Sequence, residues 1–165
     1  MQEYNDYVQT TKEYLRRYKE FRATIENLND EIEAQEQELA IDVAPPIPKY
    51  GDDTRTGGSG ELNAVESAAA RRIRLGESVR EKRAEVEKIE RTLRKIDRAL
   101  ETLPAQEKKL VVGYYINRES WRDLSMSLFM TEKWASHLGN KAVKSLACII
   151  FGLKDLSQDL FVFYA

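Results

Sequence analysis

Two long segments of the chain place mostly apolar side chains at alternating steps of three and four residues. The first series is Tyr4, Tyr7, Thr11, Tyr14, Tyr18, Phe21, Ile25, Leu28, Ile32, Gln35 and Leu39. The second series is Leu75, Val79, Lys82, Val86, Ile89, Leu93, Ile96, Leu100 and Leu103. Such spacing puts one narrow apolar seam along a helix, which is typical of coiled-coil packing. It predicts helices over residues 3–40 and 62–103, each about 55–60 Å long at 1.5 Å per residue.

The charges of the two segments favour pairing them with each other. Residues 1–40 contain ten Asp/Glu and five Lys/Arg, a local charge of −5, whereas residues 71–98 contain eleven Lys/Arg and six Asp/Glu, a local charge of +5. Because opposite charges steer such surfaces together, we expect an antiparallel helical hairpin within residues 1–103. The basic stretch RRIRLGESVREKR is either a solvated face opposite the acidic helix or a nucleic-acid contact.

The segment between the seams, DVAPPIPKYGDDTRTGGSG, contains three prolines and four glycines. Proline removes a helix hydrogen-bond donor and glycine loosens the chain, so both helices are expected to end here. We therefore assign residues 41–60 to a mobile linker that permits the chain to reverse. No Gly-Lys-Ser/Thr follows GGSG, so this segment is not expected to bind phosphate.

A change of pattern at Pro104 marks a second domain over residues 104–165. Proline suits the first turn of a helix, where its missing N–H has no partner in any case. The helix predicted over residues 104–115 has an apolar face formed by Leu110, Val111, Tyr114 and Tyr115. Ser120 and Asp123 form a capping box for a second helix. Thr131 is suited to cap the last long helix.

The last helix is predicted to be amphipathic. At 100° per residue, one face carries Ala135, Leu138, Ala142, Leu146 and Ile149. The opposite face carries a polar stripe of Lys133, His137, Asn140 and Lys144, flanked by Ser136 and Lys141. Lysine neutralises phosphate, and Asn, His and Ser hydrogen-bond to base edges. Three helices with a tight turn before the last match helix-turn-helix geometry, although any amphipathic terminal helix has a polar face.

Residues 103–146 carry a Leu-Pro start, an aromatic pair near the end of the first helix, a Ser-aromatic-Arg-acid helix opening and a closing Ala-aliphatic-Lys-x-Leu. This gapless pattern resembles the fourth-region domain of bacterial sigma factors. With the long N-terminal hairpin and the Gly-rich loop, the chain also resembles the ArpU and RinA-like phage transcriptional regulators. The resemblance implies that the last helix enters the major groove of DNA.

The resemblance also implies which residues contact DNA. The base-reading residues would be Thr131, Glu132, Lys133, Ser136, His137, Asn140 and Lys141. The helix that starts at Ser120 would contact phosphates with the help of Arg122 and Arg118, and the polar stripe adds Lys144 as a phosphate-range cation.

The chain departs from the sigma-factor pattern at several positions. Phe129 stands where the turn usually carries Gly, and a left-handed conformation costs a non-Gly residue on the order of 1 kcal/mol. Gly139 lies inside the last helix, where it costs about 1 kcal/mol relative to Ala. Leu138 occupies a position that is often basic in the family. The aromatic promoter-melting segment has no counterpart, so an independent sigma factor is not expected.

The remaining composition narrows the class of protein. A third of the residues are charged and 42% are hydrophobic, which suits a helix-rich soluble protein. No apolar run approaches the roughly 20 residues of a membrane span. The polar start MQEYNDYVQTTKEY also lacks the apolar segment of a signal peptide. We therefore expect a cytoplasmic protein without membrane contact. His137 and Cys148 cannot form a zinc site alone, and no G-x-S-x-G motif is present. We expect neither enzymatic activity nor a cofactor.

These patterns predict an all-α protein that acts as a sequence-specific DNA-binding transcriptional regulator, encoded by a phage or prophage and located in the bacterial host cell. Expected partners are double-stranded promoter or operator DNA, further copies of the chain through the N-terminal hairpin, and RNA polymerase. Self-association is expected because tyrosines are bulky for a two-helix seam and their hydroxyls need water or a partner.

Two alternative functions are a small terminase-like DNA-packaging subunit and a coiled-coil adaptor without nucleic-acid binding. The apolar tail DLFVFYA either packs on the C-terminal domain or forms an interface.

Overall fold

The computed structural model describes the backbone of residues 2–41 and 60–152 and the side chains of residues 6–41 and 66–152. All regular structure in these ranges is helical, which confirms the predicted all-α class. The helices are α1 Gln2–Arg16, α2 Tyr18–Ile41, α3 Gly60–Glu101, α4 Ala105–Val111, a π-helical turn Val112–Ile116, α5 Trp121–Ser127 and α6 Glu132–Phe151. Within the described ranges, none of them has both the length and the apolar content that crossing a membrane requires. Residues 42–59 of the predicted linker and the tail from residue 153 lie outside the described residues.

Helices α1 and α2 are nearly one helix, interrupted only at Arg17. The N–H of Arg17 donates to the carbonyl four residues earlier at 2.9 Å, and its own carbonyl accepts the N–H of Phe21 at 2.9 Å. The hydrogen-bond ladder therefore continues through the interruption. α3 ends three residues before Pro104, consistent with the bias against helical backbone just before proline. The predicted helices over 3–40 and 62–103 agree with these bounds to within two residues.

One compact unit, residues 24–89, consists of parts of α2 and α3 that pack through a small apolar cluster. The cluster contains buried Ile32, Val79 and Val86, with Ile25, Leu28 and Leu39 packed against them. The ion pairs that cross between the helices in this unit include Lys82 with Glu31 at 2.7 Å, Arg71 with Glu38, and Arg83 with Glu36. These pairs join acidic and basic segments as the charge pattern predicted, although each exposed pair contributes only about 0–1 kcal/mol.

The other compact unit combines residues 2–23 with residues 90–152 of the described chain. Its core contains buried side chains from α1, α3, α4, the π-helical turn and α6: Val8, Leu15, Ile96, Ala99, Leu100, Val111, Tyr115, Ile116, Ala142, Val143, Leu146, Ala147 and Ile150. α1 packs against both α6 and the π-helical turn. This division by packing differs from the sequence-based boundary after residue 103, because α1 shares its core with the C-terminal helices.

α1 buries a face that the seam pattern did not contain. Val8 and Leu15 lie outside the predicted seam yet are buried, whereas the seam residue Tyr7 is exposed. Thr11 belongs to the seam and is fully buried, and its hydroxyl donates to the carbonyl of Tyr7 at 2.8 Å. The reason is that α1 meets α6 and the π-helical turn, so its buried surface is wider than one seam.

The seam tyrosines find partners inside the chain. The Tyr18 hydroxyl donates to Asp97 Oδ1 at 2.6 Å and accepts from Arg22 Nη2 at 2.8 Å. Burial, followed by the hydrogen bond to Asp97, raises the pKa of Tyr18 above its ordinary value of 10.0. Tyr14 packs edge-on to Phe21, with ring centroids 6.1 Å apart. The hydroxyl of Tyr18 is therefore satisfied within the chain.

Leu15→Ala is expected to destabilise the unit that contains both tryptophans, although Leu15 lies near the N-terminus. Leu15 is fully buried in the shared core, and truncating a buried leucine costs about 2–5 kcal/mol. Urea unfolding followed by the fluorescence of Trp121 and Trp134 measures the loss. Met126→Ala truncates an exposed side chain of α5 and should change the free energy of unfolding by less than about 0.5 kcal/mol. An unchanged midpoint for Leu15→Ala would show that α1 is not part of this core.

Candidate nucleic-acid interface

α5 begins at the cap that the sequence predicted. The Ser120 hydroxyl accepts the N–H of Asp123 at 3.1 Å and donates to its Oδ2 at 2.7 Å. This cap satisfies one of the N–H groups that the start of a helix leaves without a partner. Because the Ser120 hydroxyl is engaged within the protein, the exposed Arg122 is the better placed of these two predicted phosphate contacts.

A short turn at Phe129 reverses the chain between α5 and α6. Phe129 has a φ of 54°, in the left-handed region that costs a non-Gly residue about 1–2 kcal/mol. The N–H of Met130 donates to the carbonyl of Ser125 at 3.0 Å and closes the turn. The Phe129 side chain is 99% exposed. The turn therefore keeps the conformation that favours Gly, although the sequence supplies Phe.

The close approach of α5 to α6 depends on Gly139. A Cβ at this position would lie 2.5 Å from Cη2 and 2.9 Å from Cζ3 of Trp121, so only glycine leaves room for the indole. The indole also stacks on the ring of Tyr114, with centroids 4.0 Å apart and planes inclined by 16°. The cost of glycine inside the helix is thus offset by the contact that holds α5 and α6 together.

The buried face of α6 turns toward α1 near the end of the helix. Of the predicted inner face, Ala135, Ala142 and Leu146 are fully buried and Leu138 is half-buried, but Ile149 is 42% exposed. The prediction that Ile149 is a core residue was therefore wrong. Its place is taken by Val143, Ala147 and Ile150, which share a core with α1. Periodicity along α6 did not predict this, because the covering helix comes from the other end of the sequence.

Most of the predicted base-reading residues lie on the solvent side of α6. Thr131, Glu132, Lys133, His137 and Lys141 are exposed, as is the predicted phosphate contact Lys144, whereas Ser136 and Asn140 are half-buried. The Thr131 hydroxyl accepts the N–H of Trp134 at 3.3 Å and caps the helix as predicted. Within the part of the chain that the structure describes, Lys133, Lys141 and Lys144 form no ion pair. The exposed lysines are therefore available to an anionic partner.

Asn140 differs from the other members of the polar stripe, because its amide is bonded within the protein. Its Nδ2 donates to the carbonyl of Ser136 at 2.9 Å, and its Oδ1 accepts from the Tyr115 hydroxyl at 3.5 Å. Burial is the main cause that raises the pKa of Tyr115 above its ordinary value of 10.0. Asn140 would have to release these bonds before it contacted a base with both amide groups.

Trp134 and His137 form an exposed aromatic pair at the start of α6. Their rings stack with centroids 5.6 Å apart and planes inclined by 25°. Trp134 is 54% exposed, and the pair lines a shallow depression together with Thr131 and Lys133. The sequence pattern placed His137 on the stripe and left Trp134 either in the core or as a support of the DNA-facing surface. The exposure of Trp134 excludes the core.

Arg118 lies on an exposed loop between the π-helical turn and α5. It has a φ of 63°, and its Nη2 donates to the carbonyl of Arg16 at 3.1 Å. The guanidinium of Arg16 in turn lies 5.8 Å from the centroid of the Tyr115 ring. Arg16 was not predicted as a functional residue. No local signal links it to Arg118, because the two lie far apart in the sequence and only the fold brings them together.

The charge balance of this part of the molecule is positive. Residues 104–152 contain seven Lys/Arg and four Asp/Glu, a local charge of +3. Among the residues that the structure describes, no group of three or more His, Cys, Asp or Glu is placed to hold a metal ion.

Comparison of the chain with protein-family models, curated proteins and solved structures finds no match. The function therefore has to be inferred from the geometry and charge of the site itself.

Gly139→Ala and Gly76→Ala make the same exchange in two helices and should have opposite effects. At Gly76 a Cβ would meet nothing within 4 Å, so alanine should stabilise α3 by up to about 1 kcal/mol. At Gly139 the Cβ would overlap the Trp121 indole, and overpacking costs about 1–3 kcal/mol, so we expect a net loss. Thermal unfolding measures both changes, and near-ultraviolet circular dichroism should show that the Trp121 stack on Tyr114 is disturbed only in Gly139→Ala. Equal stabilisation by both variants would contradict the packing of Trp121 on α6.

Proposed function

We propose that this protein is a sequence-specific regulator of transcription that binds double-stranded DNA, with α5 and α6 as a helix-turn-helix and α6 in the major groove. The observation that carries the proposal is the outer face of α6. It presents Lys133, His137, Lys141 and Lys144 to solvent, while the inner face is held by Trp121 at Gly139. A capped helix that is buried on one side and cationic on the other is the form in which such motifs enter the groove.

The exposed side chains suggest a division of roles along the interface. Lys133, His137 and Lys141 would contact base edges together with the flanking Thr131, Glu132 and Ser136, since these types hydrogen-bond to the groove floor. Arg122, Lys144 and Arg118 would contact phosphates. Asn140 is bonded to Ser136 and to the Tyr115 hydroxyl, so we assign it to orienting this face of α6 rather than to reading adenine.

The N-terminal segments would form the antiparallel coiled-coil hairpin of the regulator. The ion pairs of Arg71, Lys82 and Arg83 with glutamates of α2 support this arrangement. They also favour the solvated-face interpretation of the basic stretch over a nucleic-acid contact, because three of its cations already have carboxylate partners. The proposals of a phage or prophage origin and of contact with RNA polymerase rest on the resemblance to phage regulators and to the sigma-factor domain.

Lys144→Ala and His137→Ala should impair DNA binding in different ways. The target would be the duplex recovered by sequencing the genomic DNA fragments that the protein retains, and the reference a random duplex of equal length. Removing the Lys144 cation should weaken binding to both duplexes. It should also reduce the magnitude of the slope of log K against log salt concentration by about 0.9, the value for one phosphate contact. Removing the His137 ring should weaken binding to the target alone, by about 1–3 kcal/mol.

Lys95→Ala is the matched control for these two variants, since Lys95 is an exposed lysine of α3 rather than of α6. It should bind both duplexes as the parent does, and all three variants should keep the parent's melting temperature because none of the side chains is buried. If Lys144→Ala and His137→Ala also bind both duplexes as the parent does, the polar stripe is only a solvated surface. Assembly of rings on a viral packaging site would favour a terminase-like subunit, and no DNA binding at low salt would favour an adaptor.

Self-association through the hairpin is part of the proposal, and two exposed isoleucines support it. Ile41 and Ile73 are 74% and 63% exposed. Ile41 lies shortly after Glu38 in the sequence and Ile73 shortly after Arg71, and Glu38 and Arg71 form an ion pair. Sedimentation at tens of micromolar should show a species larger than a monomer. Ile73→Ser should shift that species toward the monomer because it removes apolar surface from the contact, whereas Met126→Ser on α5 should not. A monomeric parent protein at this concentration would contradict self-association.

A further inference from the structure

Two arginines from distant parts of the sequence converge on one open concavity. The concavity is lined by Arg16 at the end of α1, by Tyr114 of the π-helical turn and by Arg118 and Glu119 of the loop before α5. The Arg118 guanidinium donates to the carbonyl of Arg16 at 3.1 Å. Both arginine side chains are exposed. Two positive charges therefore share a small solvent-facing surface.

The two arginines have no carboxylate partner within the described part of the chain. Neither forms an ion pair there, although Glu119 lines the same concavity. The Arg16 guanidinium instead lies over the Tyr115 ring, at 5.8 Å from its centroid. An anion in the concavity that both arginines line would be attracted by both positive charges. A planar guanidinium is suited to bidentate contact with phosphate oxygens.

The backbone at Arg118 is strained. Its φ of 63° lies in the left-handed region, which disfavours a residue with a Cβ. Such strained residues cluster at ligand sites, where the surrounding structure maintains them. Here the hydrogen bond to the Arg16 carbonyl fixes the direction of the Arg118 side chain. The strained backbone of Arg118 and the two arginine charges without a carboxylate partner therefore lie in the same cluster.

Tyr115 connects this concavity to the polar stripe of α6. Its ring lies beneath the Arg16 guanidinium, and its hydroxyl donates to Asn140 Oδ1 at 3.5 Å. Arg16 is therefore linked through Tyr115 to the side of α6 that carries Asn140. A helix in the major groove has a phosphate backbone along each side, because the groove is only about 12 Å wide.

We propose that Arg16 and Arg118 together bind a backbone phosphate of duplex DNA, so that α1 contributes directly to the interface. This inference rests on the proposed function, since it uses the position of a duplex seated on α6. It adds a contact from the N-terminal helix that the helix-turn-helix alone does not supply. Glu119 opposes the contact, because its carboxylate lines the same concavity and repels phosphate.

The experiment uses the full chain and a random-sequence duplex of about 30 base pairs, with affinity measured over a range of salt concentrations. Arg16→Gln should weaken binding and lower the salt slope by about 0.9, whereas Arg16→Lys should retain the slope because it keeps the cation. Arg118→Gly should lower the slope by a similar amount, and glycine tolerates the left-handed backbone. Glu119→Gln should strengthen binding, a change that a merely structural role of this cluster does not produce.

Lys19→Gln is the matched control, since Lys19 is an exposed cation three residues after Arg16 on α2. It should leave the slope unchanged, and circular dichroism should show that all variants remain folded. If the parent protein binds the duplex but Arg16→Gln keeps its slope and affinity, the phosphate site is refuted while the proposed function stands. If the parent does not bind the duplex even at low salt, both fall together.

Discussion

The contact between the Trp121 indole and the backbone of α6 at Gly139 sets the separation of the two helices on which the candidate interface depends. A Cβ at Gly139 would lie only 2.5 Å from the indole, and the indole also stacks on the ring of Tyr114. α5, α6 and the π-helical turn are thus fixed by one aromatic group. The outer face of α6 then follows from helical geometry alone, since fixing one face of a helix fixes the opposite one.

The N-terminal helix is a structural member of the unit that carries the interface. Leu15 lies in the same core as Val143 and Leu146 of α6, and the carbonyl of Arg16 accepts the hydrogen bond that orients Arg118. α1 therefore supports α6 from the side opposite to solvent and also touches the loop before α5. Helix α1, which continues into α2, is therefore in direct contact with the elements proposed to bind DNA.

The sequence predicted what depends on local chemistry. Ser120 and Thr131 were recognised as caps because a hydroxyl near the first turn of a helix has one evident partner, and the long seams predicted both helices of the N-terminal half. It did not predict what depends on packing between distant segments. Ile149 was assigned to the core because periodicity gives the faces of a helix but not the element that covers them. Likewise, nothing near Arg16 indicated that it would meet Arg118, and nothing near Asn140 indicated that Tyr115 would occupy its amide.

The core that joins α1 to α6 has a consequence for the order in which the protein folds. Val8 and Ile150 belong to one cluster although almost the whole chain separates them in sequence. Contacts of such long sequence separation carry a large loop-closure entropy and slow the folding of a domain. During synthesis, the apolar residues of α1 stay exposed to solvent or to chaperones until α6 has emerged from the ribosome. The unit proposed to recognise DNA therefore becomes native only after both α1 and α6 have been synthesised.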